Sequence, residues 1–383
     1  MALRGIGLYA MPKVLIYPTQ LGREHPEQKE RFVPLSINLS GSVFGNGSAS
    51  ATVIDMGEDF VKTGQIITPG SSRSPLQNYY GGRWNIDIGD TYKYQFLLTS
   101  ADSTRLLGGR RVDLSFDDLK NSWALLKTNE IYSSYSTYEA LVNALITEVT
   151  HISGNDPAQC PDTISISSHP ALSLFCTDGI YKIDNSTFLN EIMKLLQMAG
   201  FCLFAEPNSG DLRIVSITPL TTVFATHTIN ANTAPLGLMI KDAKFSLNYM
   251  GIPTAVIVTD GNSPRTFTYG RYVGTGGVAG VGGSLIDNRN YDISNRNQPS
   301  YAVVYGLSNA QMQATAESIY TLGAAGERVL QVTMAGIPFS PILWTNLVWT
   351  DDQENTGTWL VTDFSIDIQP NALHTTITAF KVG

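Results

Sequence analysis

The side chains able to do chemistry in this chain of 383 residues are few, and their spacing argues against each use. His151, Cys160, His169 and Cys176 are soft donors that suit zinc, yet no Cys-x-x-Cys or His-x-x-x-His spacing fixes two ligands locally. The adjacent carboxylates Asp351 and Asp352, and Glu58 and Asp59, could act as acid and base on a sugar, but both pairs lie in polar clusters that read as solvated turns. Asp351-x-Gln353-x-Asn355 misses the calcium-loop pattern at its third position and has no glutamate downstream at the required register. There is no Gly-x-Ser-x-Gly elbow, and no cysteine has a partner base in sequence. Gly274 to Gly280 is glycine-rich like a phosphate loop, but neither a helix-forming run nor a suitably placed lysine follows. His227 and His374 read as surface or satisfied side chains. The expectation is therefore a protein without catalytic residues, bound metal or cofactor, and not an enzyme.

One cluster keeps a binding function open. Tyr79, Tyr80, Trp84, Tyr92, Tyr94 and Phe96 fall within eighteen residues around Gly81-Gly82. Aromatic faces on a β-scaffold can stack on sugars, which would make a carbohydrate-binding module. Aromatics are also favoured strand formers and interface residues, so cross-strand packing or a subunit contact is the other reading.

The elements that would position these residues follow from periodicity. Up to about residue 130, short strand-like runs such as Lys13 to Tyr17, Tyr92 to Leu98 and Arg111 to Phe116 alternate with Gly, Ser and Pro clusters. From Ser136 the period becomes helical: Ser136-x-x-Glu139 is a capping box, and Tyr138, Leu141, Val142, Leu145 and Val149 share a face. A second helix follows Asn185, with Phe188, Ile192, Leu195, Leu196 and Ala199 on one side and a stop at Gly200. The hairpin Phe201 to Phe204 / Asp211 to Val215, turning through Glu206 to Gly210, comes next. Three divisions result: a β-barrel-like domain over 1–130, an α/β segment over 131–220, and a β-barrel-like domain over 221–383 with one helix and a long Gly/Asn-rich loop at 274–297.

The C-terminal region has a recognisable order. A helix opens at Ser308-x-x-Gln311, presents Met312, Ala316, Ile319 and Tyr320, and is expected to stop at Gly323. Leu330, Val332 and Met334 then alternate up to Gly336-Ile337-Pro338, and strands over Ile342 to Thr350, Trp359 to Ile368 and Leu373 to Val382 complete a meander. Upstream lie the runs Lys244 to Tyr249 and Ala255 to Gly261, which resemble the strand pair that re-enters the barrel region in the family named next. This order, from Ser136 to the C-terminus, resembles the central baseplate hub of tailed phages, a family related to the hub part of type VI secretion spikes. Where those hubs often have a Pro-Gly-Asp-like turn, this chain has Pro341 to Asn346.

The resemblance implies a β-rich α+β fold with two antiparallel barrel-like domains and an inserted α/β segment. It also implies a structural role: a homotrimer joining the hexameric tail tube end to the trimeric central spike or tip, around the DNA passage. Its partners would be the tube or tube-initiator protein, the spike or tip protein, other baseplate proteins and the tape measure protein, and its place the virion tail after assembly in the host cytoplasm.

Composition agrees with that class. Hydrophobic residues make up 43%, enough for large cores, while charged residues are only 15%, so little surface need lose bound water on assembly. A net charge of −8 without a basic stripe argues against a specific nucleic-acid reader; the dense cluster Arg23 to Arg31 mixes both signs. Three widely spaced cysteines argue against a disulfide framework. No stretch of roughly 18 apolar residues predicts membrane insertion, and no secretory core opens the sequence, so folding in the cytoplasm is expected. The 274–297 tract is too polar to order itself alone. Its deletion is expected to leave a soluble, cooperatively unfolding chain that assembles poorly; loss of cooperative unfolding on denaturation would place the tract in the core instead.

Overall fold

Strict alternation of inward apolar and outward polar side chains builds most of this protein, as its computed structural model makes clear. Residues 12–18, 32–55, 83–89, 91–124, 127–128, 131–133, 137–152, 164–166, 180–183, 185–217, 226–230, 239–247, 255–260, 264–270, 300–304, 309–326, 328–337, 343–350 and 356–382 are described. The first six strands are β1 (Val14–Pro18), β2 (Pro34–Ser42), β3 (Ser48–Asp55), β4 (Arg83–Ile88), β5 (Tyr92–Leu106) and β6 (Gly109–Asp117), followed by a 3-10 turn at Leu119–Ala124. Then come β7 (Lys127–Thr128), β8 (Ile131–Ser133), α1 (Tyr138–Ile152), β9 (Ile164–Ile166), β10 (Ile180–Lys182), β11 (Ser186–Thr187) and α2 (Phe188–Ala199). The hairpin β12 (Phe201–Glu206) and β13 (Asp211–Ser216) precedes β14 (Thr226–Asn230), β15 (Met239–Leu247), β16 (Ala255–Asp260), β17 (Thr266–Gly270) and β18 (Ser300–Val304). The chain closes with α3 (Asn309–Ala325), β19 (Arg328–Ala335), β20 (Asn346–Thr350), β21 (Gly357–Gln369) and β22 (Ala372–Lys381).

Twelve of these strands form one sheet in the order β1-β4-β5-β6-β3-β2-β21-β22-β19-β15, with β20 also on β21 and β14 on β20. The sheet divides at the β2–β21 pair into six early strands and six late ones. Each half curls. Phe32, just ahead of β2, exchanges backbone hydrogen bonds of 2.8 and 2.9 Å with Ile16 of β1, so the two ends of the early set meet. In the late set Phe245 of β15 lies with its ring 6.2 Å from that of Trp349 on β20, although three strands separate them in the sheet. The expected β-rich α+β class with barrel-like β units is thus the observed one.

One core fills both halves and contains Ile37, Leu39, Trp84, Ile86, Phe116, Val332, Phe364, Ile366 and Ile377. A second core lies under the helices, among Trp123, Leu145, Phe188, Ile192, Leu195, Val256, Phe267 and Met312. The β12–β13 hairpin separates them and is buried on both sides. Its Phe201, Leu203, Ala205, Leu212 and Ile214 face the helical core, while Phe204 and Val215 face the sheet core. Parallel pairing of β13 with β9, and of β16 with β18, adds small three-stranded sheets to the helical side. The α2 C-terminus ends in a left-handed Gly200 (φ 82°), and a Cβ there would also lie 2.3 Å from Ser318 Oγ of α3. Glycine at this point lets the two helices approach.

Several sequence expectations shift by a turn. At the start of α1 the Thr137 Oγ1 accepts from the Ala140 N–H at 3.1 Å; the expected caps Ser136 and Ser308 lie outside the described residues. α3 continues through Gly323 to Ala325, because Ala324 and Ala325 are strong helix formers and Gly326 takes over as the stop. β20 begins at Asn346 and not Ile342: Leu343 and Trp344 make a turn, with the Trp344 backbone at φ 59°. β15 and β16 do not pair with each other. Phe245 sends β15 into the sheet core, whereas Val256 and Val258 commit β16 to the helical core. The 274–297 tract lies outside the described residues.

Packing at the seam between the two halves is close. A Cβ added to Gly41 on β2 would lie 2.5 Å from Cε1 of Phe364 on β21, inside a core side chain that has little room to move. Gly41→Ala is expected to destabilise the protein by about 1–3 kcal/mol, read by chemical denaturation. An unchanged midpoint would mean that the seam is looser than its geometry.

Candidate functional site

The residues singled out for chemistry do not converge. Trp84, Tyr94 and Phe96 are buried, with Trp84 and Phe116 edge to face at 6.1 Å and Tyr94 beside Phe364 at 6.1 Å. Tyr92 donates its hydroxyl to the Ile337 carbonyl at 3.1 Å. Among the described aromatics of that cluster the packing reading therefore holds, since none offers a free face; Tyr79 and Tyr80 lie outside the described residues. The side chain of His151 and residues Cys160, His169, Cys176, Glu58, Asp59, Asp351, Asp352 and 274–280 also lie outside them. Among the described residues no three His, Cys, Asp or Glu side chains gather to hold a metal ion. His374 accepts from the Lys241 ammonium across β22 and β15 (2.8 Å), and burial holds the imidazole of His227 below its ordinary pKa.

Two polar joints, which sequence reasoning missed, lock the parts together. The first is the β12–β13 turn. Glu206 is 1% exposed; its Oε2 accepts from the Leu343 N–H at 3.1 Å. Arg83 of β4 donates to the Gly210 carbonyl (3.1 Å), and the Gln95 N–H of β5 donates to the Pro207 carbonyl (2.8 Å). Gly210 has φ 73°, and any Cβ there would meet Gln95 Oε1 at 2.1 Å. Burial pushes the Glu206 carboxyl up to about 8, although Arg213 and the N–H groups of Asn208 and Leu343 favour its charged form.

The second joint is Asp118 with Lys120, both 2% exposed and 3.6 Å apart. Asp118 accepts from the Gly47 N–H and the Lys120 N–H, each at 3.0 Å, while Lys120 donates to the Gly45 carbonyl. Burial raises the Asp118 pKa, against the attraction of Lys120 and these N–H donors. The pair ties the β2–β3 turn to the 3-10 segment. Both joints tie backbone segments together, since the hydrogen bonds named join side chains to backbone groups or backbone to backbone.

The feature open to solvent is the outer face of the sheet across the β2–β21 seam. There Ser36, Asn38, Ser40 and Ser42 of β2 line up beside Asp363, Ser365 and Asp367 of β21 and Thr376 and Thr378 of β22. A groove of about 330 Å³ runs among Ser40, Ser42, Asn46, Gln331, Asp363 and Thr378. Its carboxylates are already solvated by protein. Asp363 accepts from Ser42 (2.5 Å) and Thr362 (2.8 Å); on β6 Asp113 accepts from Thr52 (2.6 Å) and Arg111 (3.0 Å). The hydrogen bond from Thr52, more than the arginine, holds the Asp113 pKa below its ordinary value. The signal for this face was present in the sequence as a period-two row of Ser, Thr, Asn and Asp.

No protein-family model matches the chain, and no curated protein matches it by sequence. Solved structures do match its fold. A tail protein from Neisseria meningitidis is 11% identical with a TM-score of 0.65, over 98% of this chain and 98% of that one. A prophage tail protein from Shewanella oneidensis is 10% identical with a TM-score of 0.61, over 96% and 98%. An E. coli type VI secretion component, described as structurally similar to T4 phage tail proteins, is 9% identical with a TM-score of 0.58, over 97% and 77%. At these identities the likeness is one of fold, and it extends along nearly the whole chain. The resemblance read from the order of elements is met at that level.

The Glu206 joint sets a pH dependence. Because the folded carboxyl titrates near 8 and the unfolded one near 4.5, the folded state holds a proton that the unfolded state has released between those values. Its contribution to stability is fully present below 4.5 and is lost as pH rises through about 8. Denaturation midpoints of the wild type should fall from pH 5 to pH 8, and Glu206→Gln should flatten that slope by a few kcal/mol at most. Parallel slopes for the two proteins would show that the carboxyl ionises freely in the fold.

Proposed function

We propose that the chain is a non-enzymatic hub of a phage-type tail or baseplate, joining the hexameric end of the tail tube to a trimeric central spike or tip. The observation that carries this reading is the pair of six-strand units joined edge to edge at β2–β21 within one subunit. Three such subunits present six similar units in a ring, so a six-fold tube can continue into a three-fold tip. The fold shared with phage tail proteins and a type VI secretion component supports the same role.

In this reading residues 1–130 and 221–383 are the two barrel-like domains of the ring, and 131–220 decorates or extends it. The chain acts as a homotrimer within the virion tail, after assembly in the host cytoplasm. The tube or tube-initiator protein docks on one side, the spike or tip on the other, and other baseplate proteins and the tape measure protein complete its contacts. The hydroxyl-rich sheet face turns toward the passing genome. Such a face suits a passage because its carboxylates are few and already hydrogen-bonded by neighbouring hydroxyls and Arg111. DNA finds water and hydroxyls there, without a cationic stripe to hold it.

Electron-microscopy reconstruction of the particle tests this directly. Three copies at one position on the tail axis, with pseudo-six-fold symmetry toward the tube, are expected. Six copies in strict six-fold symmetry would make the chain a tube or distal-tail ring protein, and copies away from the axis would favour a carbohydrate-binding module.

A further inference from the structure

Eight large hydrophobic side chains are exposed among the described residues, and four of them lie at one end of the sheet. Leu106 and Leu107 cap the β5–β6 hairpin, and Val33 and Leu35 flank the start of β2. Pro34 pairs with Val53 on β3, and Val53 with Val112 on β6, so the β2 start lies at the same end of the sheet as the hairpin, whose tip extends farther out. β5 is the longest strand, and its outer half, from Thr99, has no buried residue. Its partner β6, however, keeps Val112 and Leu114 in the core and stays paired with β3 as far as Asp55 with Arg110, so only the hairpin tip, from Arg105 to Gly109, extends past β3 as a short arm.

The tip turn carries an exposed leucine. Leu107 and Gly108 form its two-residue loop, with Gly108 at φ 86°. Leu107 itself is not at positive φ, so the pair has the type II pattern, which needs glycine at its second position and commonly has proline at its first. Here the position holds a leucine as exposed as in an extended peptide, at 109%. No contact among the described residues accounts for a leucine there, and transfer out of water on assembly would.

Charge indicates what covers it. Residues 100–115 contain Arg105, Arg110 and Arg111 against Asp102 and Asp113, a net positive hairpin. The rest of the chain has 22 basic and 31 acidic residues. A neighbouring copy is therefore an attractive surface for the arm, and an arm landing on a different patch of the next subunit is the head-to-tail contact from which closed rings are made. We infer that the β5–β6 arm is an intersubunit contact, with Leu106 and Leu107 inserted into an apolar, carboxylate-rimmed surface of a second copy of this chain. This rests on the ring reading for its geometry.

Two measurements test it on the full-length chain. Sedimentation over a range of concentrations compares wild type with Leu106→Ser/Leu107→Ser. The variant should unfold like the wild type, because both side chains are exposed, and associate at least tenfold more weakly; equal association would overturn the contact. In assembled particles, a photoreactive group on Leu107→Cys reports the occupant even if the isolated wild type stays monomeric. A crosslink between two copies supports the inference, while a crosslink to another tail protein, to DNA or to nothing overturns it. Copy number and symmetry from the reconstruction are read separately, so a copy-to-copy crosslink in a six-fold or peripheral arrangement would preserve the arm contact and reject the hub.

Discussion

The hydrogen-bonded ladder between β2 and β21 is the constraint on which the rest depends. It pairs Ile37 with Ile368 and continues to Ser42 with Asp363, bringing residues more than 300 positions apart into one sheet. Closing so long a loop costs chain entropy that only cooperative burial on both sides of the seam can offset. The register also sets the faces. A slip by one residue would turn Ile37, Leu39, Phe364 and Ile366 outward and put Ser40, Ser365 and Asp367 into the core. The seam therefore defines the sheet core and the polar outer surface at the same time.

β21 can serve both halves because it is long and carries a bulge. Its first residues pair with β20 and its last with β2, on the same side, while β22 follows it throughout. The irregularity between Val361 and Asp363 falls where the partner changes. There the Trp344 N–H donates to the Val361 carbonyl and the Val361 N–H donates to Thr345. A tryptophan at φ 59° is strained, and the two backbone bonds and the rings of Phe204 and Phe44, each 6.4 Å away, hold it in place. Through Phe204 the same tryptophan reaches the hairpin that carries the helical layer, so seam and layer share one anchor.

Much of this was legible in the sequence, and for a physical reason. Helical and strand periods are local, so α2 with its Gly200 stop, the following hairpin and the Leu330-Val332-Met334 strand fall where the residues put them. β2 and β3 were harder to see, because their Ser-, Gly- and Ala-rich runs lack the β-branched density of a typical strand and gain stability from the seam. Pairing was harder still. Nothing within Lys244 to Leu247 or Ala255 to Asp260 says that one strand joins the large sheet and the other the small one; that is decided by which core has room for Phe245 and for Val258. Glu206 and Lys120 read as ordinary surface charges until the fold surrounds them. The polar row across the seam was visible residue by residue, but its coherence required the register.

The outer surface separates into two kinds, and the contrast carries functional weight. Across the seam, hydroxyls, amides and hydrogen-bonded carboxylates give a face that loses much on desolvation and gains little from contact, which disfavours protein association there. At the hairpin tip, Leu106 at the end of β5 and Leu107 in the turn gain from contact and lose little. A polar turn would hold the hairpin equally well, so the turn itself does not require the exposed leucines. The ring proposed above would use both kinds of surface, since contacts that build a ring must be apolar enough to bind and a wall facing a passage must be polar enough not to.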